Sequence, residues 1–269
     1  MTAPRAESEP RTEHFPTSGP VELEVHVGSG SVLVELVELS APAVDVVEVT
    51  VQAGPGSWWQ QGLSGMLSML GAGQGDTAGR TDPAGLGSDA VTATHISFSP
   101  SRQRLVVRSP QAGAARAVPL DVQITAPAGS RVLTRTGSAS VEVTGTAGSV
   151  DSSAGSGEVT VQDVAHGVDV RTGSGAVRAG HLAEGGRIRT GSGDLVVDAA
   201  AGELDLVTGS GDLRIGIAAG VLAELDVRSG SGTARCELPI VDSDDAADTA
   251  TATVRARTGS GNALVHGAH

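Results

Sequence analysis

Three aligned runs decide the fold: VDVRTGSGAVRA from Val168 to Ala179, GRIRTGSGDLVV from Gly186 to Val197, and LDLVTGSGDLRI from Leu204 to Ile215. Each begins 18 residues after the one before. A repeat this short cannot enclose a core of its own. It buries its apolar side only against copies of itself, so it reads as one coil of a solenoid in an all-β fold. Counting outward, the first tetrad glycine recurs at Gly137, Gly155, Gly173, Gly191 and Gly209, all 18 apart, then at Gly230 and Gly259 after 21 and 29 residues.

Setting the coils on that glycine produces four apolar columns. Five residues before it stand Val132, Val150, Val168, Gly186, Leu204, Leu225 and Val254, and two residues on stand Thr134, Ser152, Val170, Ile188, Leu206, Val227 and Ala256. Beyond the turn come Val141, Val159, Val177, Leu195, Leu213, Ala234 and Ala263, then Val143, Val161, Ala179, Val197, Ile215, Cys236 and Val265. The step of two places all four columns inward. The tetrad glycines are expected to supply positive φ at the turn, the threonines (Thr136, Thr172, Thr190, Thr208, Thr258) to hydrogen-bond along the stack, and the serines from Ser138 to Ser260 to form their own ladder. Seven coils at about 4.8 Å each make a rod about 34 Å long.

Working towards the N-terminus, residues 1–19 are rich in Pro, Glu, Ser and Thr and are expected to be disordered. Residues 20–130 read as an N-terminal β segment ahead of the solenoid at 131–267. Within that segment Val21 to Leu36 gives strand, Gly turn and strand, with further strands at Val44–Val51, Val91–Phe98, Arg104–Arg108 and Val118–Thr125. A Gly-rich insertion at 54–90 carries WWQQGLSGMLSML. On a helix Trp59, Leu63, Met66 and Leu70 share one stripe. With Trp58 they form an apolar patch suited to cap an open end of the solenoid or to hold a partner.

The run PLDVQITAPAG from Pro119 to Gly129, followed by the reiterated TGSG-D-L/V-x-V, resembles a bacterial β-strand-repeat family of unknown function commonly labelled "putative adhesin". The resemblance spans residues 20 to 267 apart from the insertion. It implies a right-handed parallel β-solenoid with an adhesive or structural role, and brings no catalytic motif.

Composition narrows the function. All 18 basic residues are Arg and the net charge is -13, which disfavours nucleic acid and anionic membranes. The lone Cys236 excludes an internal disulfide and a Cys-rich metal site, and its place in the repeat predicts a buried thiol. With no leader and no apolar run long enough to span a bilayer, a cytoplasmic protein without a transmembrane segment is expected.

Candidate sites lie on the outward columns. Arg135, Arg171, Arg189, Arg228 and Arg257 precede the first tetrad glycine by two residues, beside Asp169, Asp205, Asp226, Arg187 and Arg255. Stacking fixes their spacing, so the face suits a polyanion or an acidic partner, or else neutralises itself by Arg/Asp pairing. Glu158, Asp194 and Asp212 follow the tetrads and resemble a calcium β-roll, but only one Gly turn per coil qualifies, so no metal or cofactor is expected. Gly85 to Ala90 matches G-x-G-x-x-A ahead of a predicted strand, which gives no anion site. His166 and His181 lie on loops near Glu184 and Asp163, an arrangement that reads as solvated. The function expected is a non-enzymatic structural or interaction scaffold whose partner is a protein or a second copy. The alternatives are a self-assembling β-helical filament and a polysaccharide-acting β-helix enzyme.

Overall fold

Valine-rich alternation along short segments calls for two sheets that share one apolar interior. The computed structural model describes residues 9–38, 45–54, 83–239 and 250–268. Strands β1 (Arg11–Thr17), β2 (Glu22–Val27), β3 (Gly30–Val37) and β4 (Asp45–Ala53) are followed by helix α1 (Pro83–Ala93), then β5 (His95–Ser99) and β6 (Arg104–Arg108). A 3-10 turn at Ala114–Ala117 precedes β7 (Leu120–Pro127), β8 (Arg131–Thr136), β9 (Ser140–Ala147), β10 (Ser149–Ala154) and β11 (Val159–Val164). The repeats continue as β12 (Val168–Thr172), β13 (Val177–Leu182), β14 (Gly185–Ser192), β15 (Leu195–Ala200), β16 (Glu203–Ser210) and β17 (Leu213–Ile217). The last four strands are β18 (Leu222–Ser231), β19 (Ala234–Cys236), β20 (Ala250–Ser260) and β21 (Ala263–Gly267).

The strands form two long sheets. Sheet 1 runs β1-β4-β7-β3-β9-β11-β13-β15-β17-β21-β19, and sheet 2 runs β18-β20-β16-β14-β12-β10-β8-β2-β6-β5. From β8 to β17 successive strands alternate between the sheets, and each tetrad passes the chain from sheet 2 to sheet 1. Pairing there is parallel with an offset of 18 residues, as in Val150 beside Val168, Gly186 and Leu204 in turn. The inward columns are buried from Val132 to Ile215, apart from a partly exposed Gly186, and again at Val254, Ala256, Ala263 and Val265.

What binds one layer to the next differs in part from the sequence expectation. Positive φ occurs at the second tetrad glycine in three coils, Gly211, Gly232 and Gly261, but not at the first tetrad glycines. They are needed because a Cβ at Gly155, Gly173, Gly191 or Gly209 would lie 2.4–2.5 Å from the carbonyl oxygen of the equivalent glycine one layer before. Three of the five threonine hydroxyls link layers: Thr190 donates to the Gly175 carbonyl at 3.2 Å, Thr208 to Gly193 at 3.0 Å and Thr258 to Gly211 at 2.9 Å, whereas Thr172 accepts the N–H of Gly175 in its own tetrad at 3.1 Å and Thr136 Oγ1 has no partner among the described residues. A serine ladder is present only in part, as Ser231 donating to Ser260 at 3.3 Å.

Both ends depart from sequential stacking. The β2–β3 layer is inserted between β6–β7 and β8–β9, and the β20–β21 layer lies between β16–β17 and β18–β19. Charge explains the second exchange. In the observed order Asp205, Arg255 and Asp226 are cross-strand neighbours, whereas sequential stacking would set Asp205 directly beside Asp226. The terminal layer is therefore β18–β19, which leaves Cys236 exposed and corrects the expectation of a buried thiol. Its column partners Leu225 and Val227 are half-buried and Ala234 is exposed.

The opposite end is finished differently. There β4 pairs antiparallel with β7, β1 with β4, and β5 with β6. Phe15 on β1 stacks on Phe98 on β5 with ring centroids 5.3 Å apart, which draws the edges of the two sheets together. These are the only two phenylalanines in the chain. Strand β1 lies within the segment expected to be disordered. It is held by an antiparallel ladder to β4 and by Arg11, which donates to the Thr94 carbonyl at 2.8 Å. Helix α1 replaces the predicted start of a strand at Val91, because Leu86, Ala90 and Val91 fall on one helical side and join the core. It also places Gly85 to Ala90 inside a helix rather than ahead of a strand. The apolar patch of Trp58, Trp59, Leu63, Met66 and Leu70 lies outside the described residues.

Candidate functional site

The outer face of sheet 2 collects the charged side chains into rows that cross the strands. In register, Arg108, His26, Arg135, Ser153, Arg171 and Arg189 form one row, continued by Val207, Arg257 and Arg228. All five arginines of the sequence-derived column lie in it, and Arg108 and His26 extend it. The adjoining row holds Glu24, Leu133, Asp151, Asp169, Arg187, Asp205, Arg255 and Asp226.

Along most of the face these rows neutralise each other. Arg171 donates to Asp169 at 2.9 Å, Arg187 and Arg189 both reach Asp205 at 3.2 Å, and Arg228 reaches Asp226 at 2.7 Å, with Arg257 at 3.5 Å. The Arg228 hydrogen bond, helped by Arg257, lowers the Asp226 pKa below the usual carboxylate range. Such exposed pairs each contribute under about 1 kcal/mol.

The balance changes where β6, β2 and β8 meet. Glu24 is nearly buried and accepts hydrogen bonds from Arg108 at 2.7 Å and from Arg104, with His26 Nε2 at 3.0 Å. The Arg108 bond, supported by Arg104, outweighs burial and holds the Glu24 carboxyl at about 2. Burial lowers the His26 pKa below its ordinary value against the pull of Glu24. Arg104 also lies 3.2 Å from Glu22. Arg102 and Arg135 have no ion-pair partner among the described residues. Four arginines (Arg102, Arg104, Arg108, Arg135) thus share two carboxylates, Glu22 and Glu24. An open groove of about 360 Å³ runs over Glu24, Phe98, Arg102, Arg104 and Arg108.

The protein-family comparison matches residues 105–266, more than half of the chain, to the Toastrack DUF4097 model. The chain belongs to the Toastrack DUF4097 family. No curated protein matches its sequence. Among solved structures it is similar to a "putative adhesin" from Bacteroides fragilis (TM-score 0.49, 11% identity, covering 96% of this chain and 97% of that one). Another "putative adhesin", from Parabacteroides distasonis, has TM-score 0.47 at 11% identity, with the same coverage of both chains. A "putative lipid binding protein" from that organism has TM-score 0.41 at 12% identity, covering 94% of this chain and 96% of that one.

Elsewhere in this Toastrack chain the acidic positions after the tetrads serve the backbone. Asp194 Oδ1 accepts the N–H of Asp212 at 2.8 Å, and Asp212 Oδ1 accepts the N–H of Asn262 at 2.7 Å. Glu158 instead faces Arg178 at 3.3 Å. A second groove, about 430 Å³, gathers His166, Asp169, Glu184, Arg187, Glu203 and Asp205. Its His166 is 3.3 Å from Glu184, and nearby His181 is 2.8 Å from Asp163, with both rings largely in solvent. Sequence reading missed the Glu24 cluster, whose members come from residues 22–26, 102–108 and 131–135. The charge-rich strands EVH at 24–26 and RLVVR at 104–108 were its visible trace. None of the helices described is long and apolar enough to cross a membrane.

Proposed function

We propose that this chain is a non-enzymatic interaction scaffold, a right-handed parallel β-solenoid of about 18 residues per coil that holds an acidic protein segment on the outer face of sheet 2. The observation that carries the reading is the cationic corner at β6, β2 and β8, where four arginines face two carboxylates on a chain whose net charge is -13. Arg104 and Arg108 are fixed by Glu24, so their guanidinium groups are already ordered before a partner arrives. Further along the rod the Arg and Asp rows satisfy each other and leave little net charge to offer. Filament growth finds less support, because the β1–β5 end is drawn together by Phe15 and Phe98.

The test uses a fluorescent poly-glutamate probe in a binding titration. Binding should weaken as salt rises, be lost in an Arg102→Ser, Arg135→Ser variant, and persist when Arg171, Arg189 and Arg228 are all changed to Ser. Absence of binding, or equal binding by both variants, would overturn the reading.

A further inference from the structure

The geometry points to a twofold dimer formed through the β18–β19 end, with a second copy of this chain as the occupant. Both strands are the last in their sheets, and no described residue covers them. Among the described residues their outer backbone edges are unpaired, and beside them stand Leu225, Val227, Ala234 and Cys236, whose counterparts in the layer beneath, Val254, Ala256, Ala263 and Val265, are at most 1% exposed. An apolar edge of this kind is a template for strand addition. A twofold axis normal to the sheets would run β18 antiparallel to its copy, and β19 antiparallel to its copy, at the same time.

Charge selects the register. With Val227 on the axis, inward residues meet inward residues, and Asp226 of each copy lies opposite Arg228 of the other. A shift by one residue pair in either direction sets Asp226 against Asp226, or Arg228 against Arg228. The same axis fixes β19. Val227 and Cys236 are equally far from the turn midpoint between Ser231 and Gly232, so Cys236 also falls on the axis, and Arg235 then lies opposite Glu237 of the second copy. One rotation therefore satisfies both strands with opposite charges paired and apolar residues at the centre. The contact is isologous and closes at two copies.

Sedimentation velocity on the full chain should give a dimer of twice 26.7 kDa. Cys236 Cα atoms across an antiparallel pair are about 4.5–5.5 Å apart, within disulfide reach. Diamide, which takes up the two thiol hydrogens, should therefore convert the dimer to a covalent one through this single cysteine. R235E alone should weaken association at least about tenfold by opposing two glutamates, and R235E with E237R should restore it. Both side chains are exposed, and unchanged far-UV circular dichroism will show the fold intact. A wild-type monomer, a species larger than two, a dimer that diamide fails to link, or failure of the charge exchange to restore association would each overturn the proposal.

Discussion

Replacing Gly173 by Ala tests whether the tetrad glycine is required by layer spacing or by turn conformation. The added Cβ would lie 2.4 Å from the Gly155 carbonyl oxygen, a backbone atom that cannot swing aside. Relief requires the β10–β11 and β12–β13 layers to part locally. That strains the bonds from Gly173 N and Ser174 N to the Gly155 oxygen, now 3.0 and 3.2 Å. Losing one or two such bonds at about 1 kcal/mol each, with overpacking of about 1–3 kcal/mol, gives a destabilisation of about 2–5 kcal/mol. Gly167→Ala is the matched control. It has open space at its Cβ position and no positive φ, so it should change stability by under about 0.5 kcal/mol or raise it slightly. Urea titration followed by far-UV circular dichroism should show a clearly lower midpoint for Gly173→Ala only. Equal midpoints for the two variants would refute the spacing argument.

Three further outcomes follow from the same geometry. Glu24 is held at about 2 in the fold against an ordinary 4.5, so its stabilisation of about 2–3 kcal/mol is present above pH 4.5 and is lost as pH falls towards 2; the stability difference between the wild type and Glu24→Gln should shrink over that window. Thr208→Val removes the hydroxyl that donates to the Gly193 carbonyl at 3.0 Å, and should lower the stability measured by urea titration by about 1 kcal/mol. Arg255→Asp would leave three acidic side chains in a row with Asp205 and Asp226, costing about 1 kcal/mol at low ionic strength and less in about 0.5 M salt, as thermal melts at the two salt concentrations will show.

The inward columns were legible because a period of 18 with steps of two leaves one arrangement that buries Val132 to Ile215. The ends were not, because the intervals of 21 and 29 residues announce only that something is inserted. Which layer lies outermost depends on cross-strand neighbours such as Asp205 and Arg255, set by pairing across the sheet. Cys236 was misplaced for that reason. Helix α1 was hidden by Gly85 and Gly87, and β1 by a composition typical of unpacked chain, though Phe15 marked it. The Glu24 cluster arises only because β2 is inserted between β6 and β8, bringing together residues about 80 to 110 positions apart.

Hydrogen–deuterium exchange of the full chain with and without poly-glutamate tests most directly where a partner binds. Binding at the cationic corner predicts added protection in peptides covering 22–27, 104–108 and 131–136, with the strands from β12 to β17 unchanged. Protection spread evenly along sheet 2, confined to sheet 1, or absent altogether would contradict it.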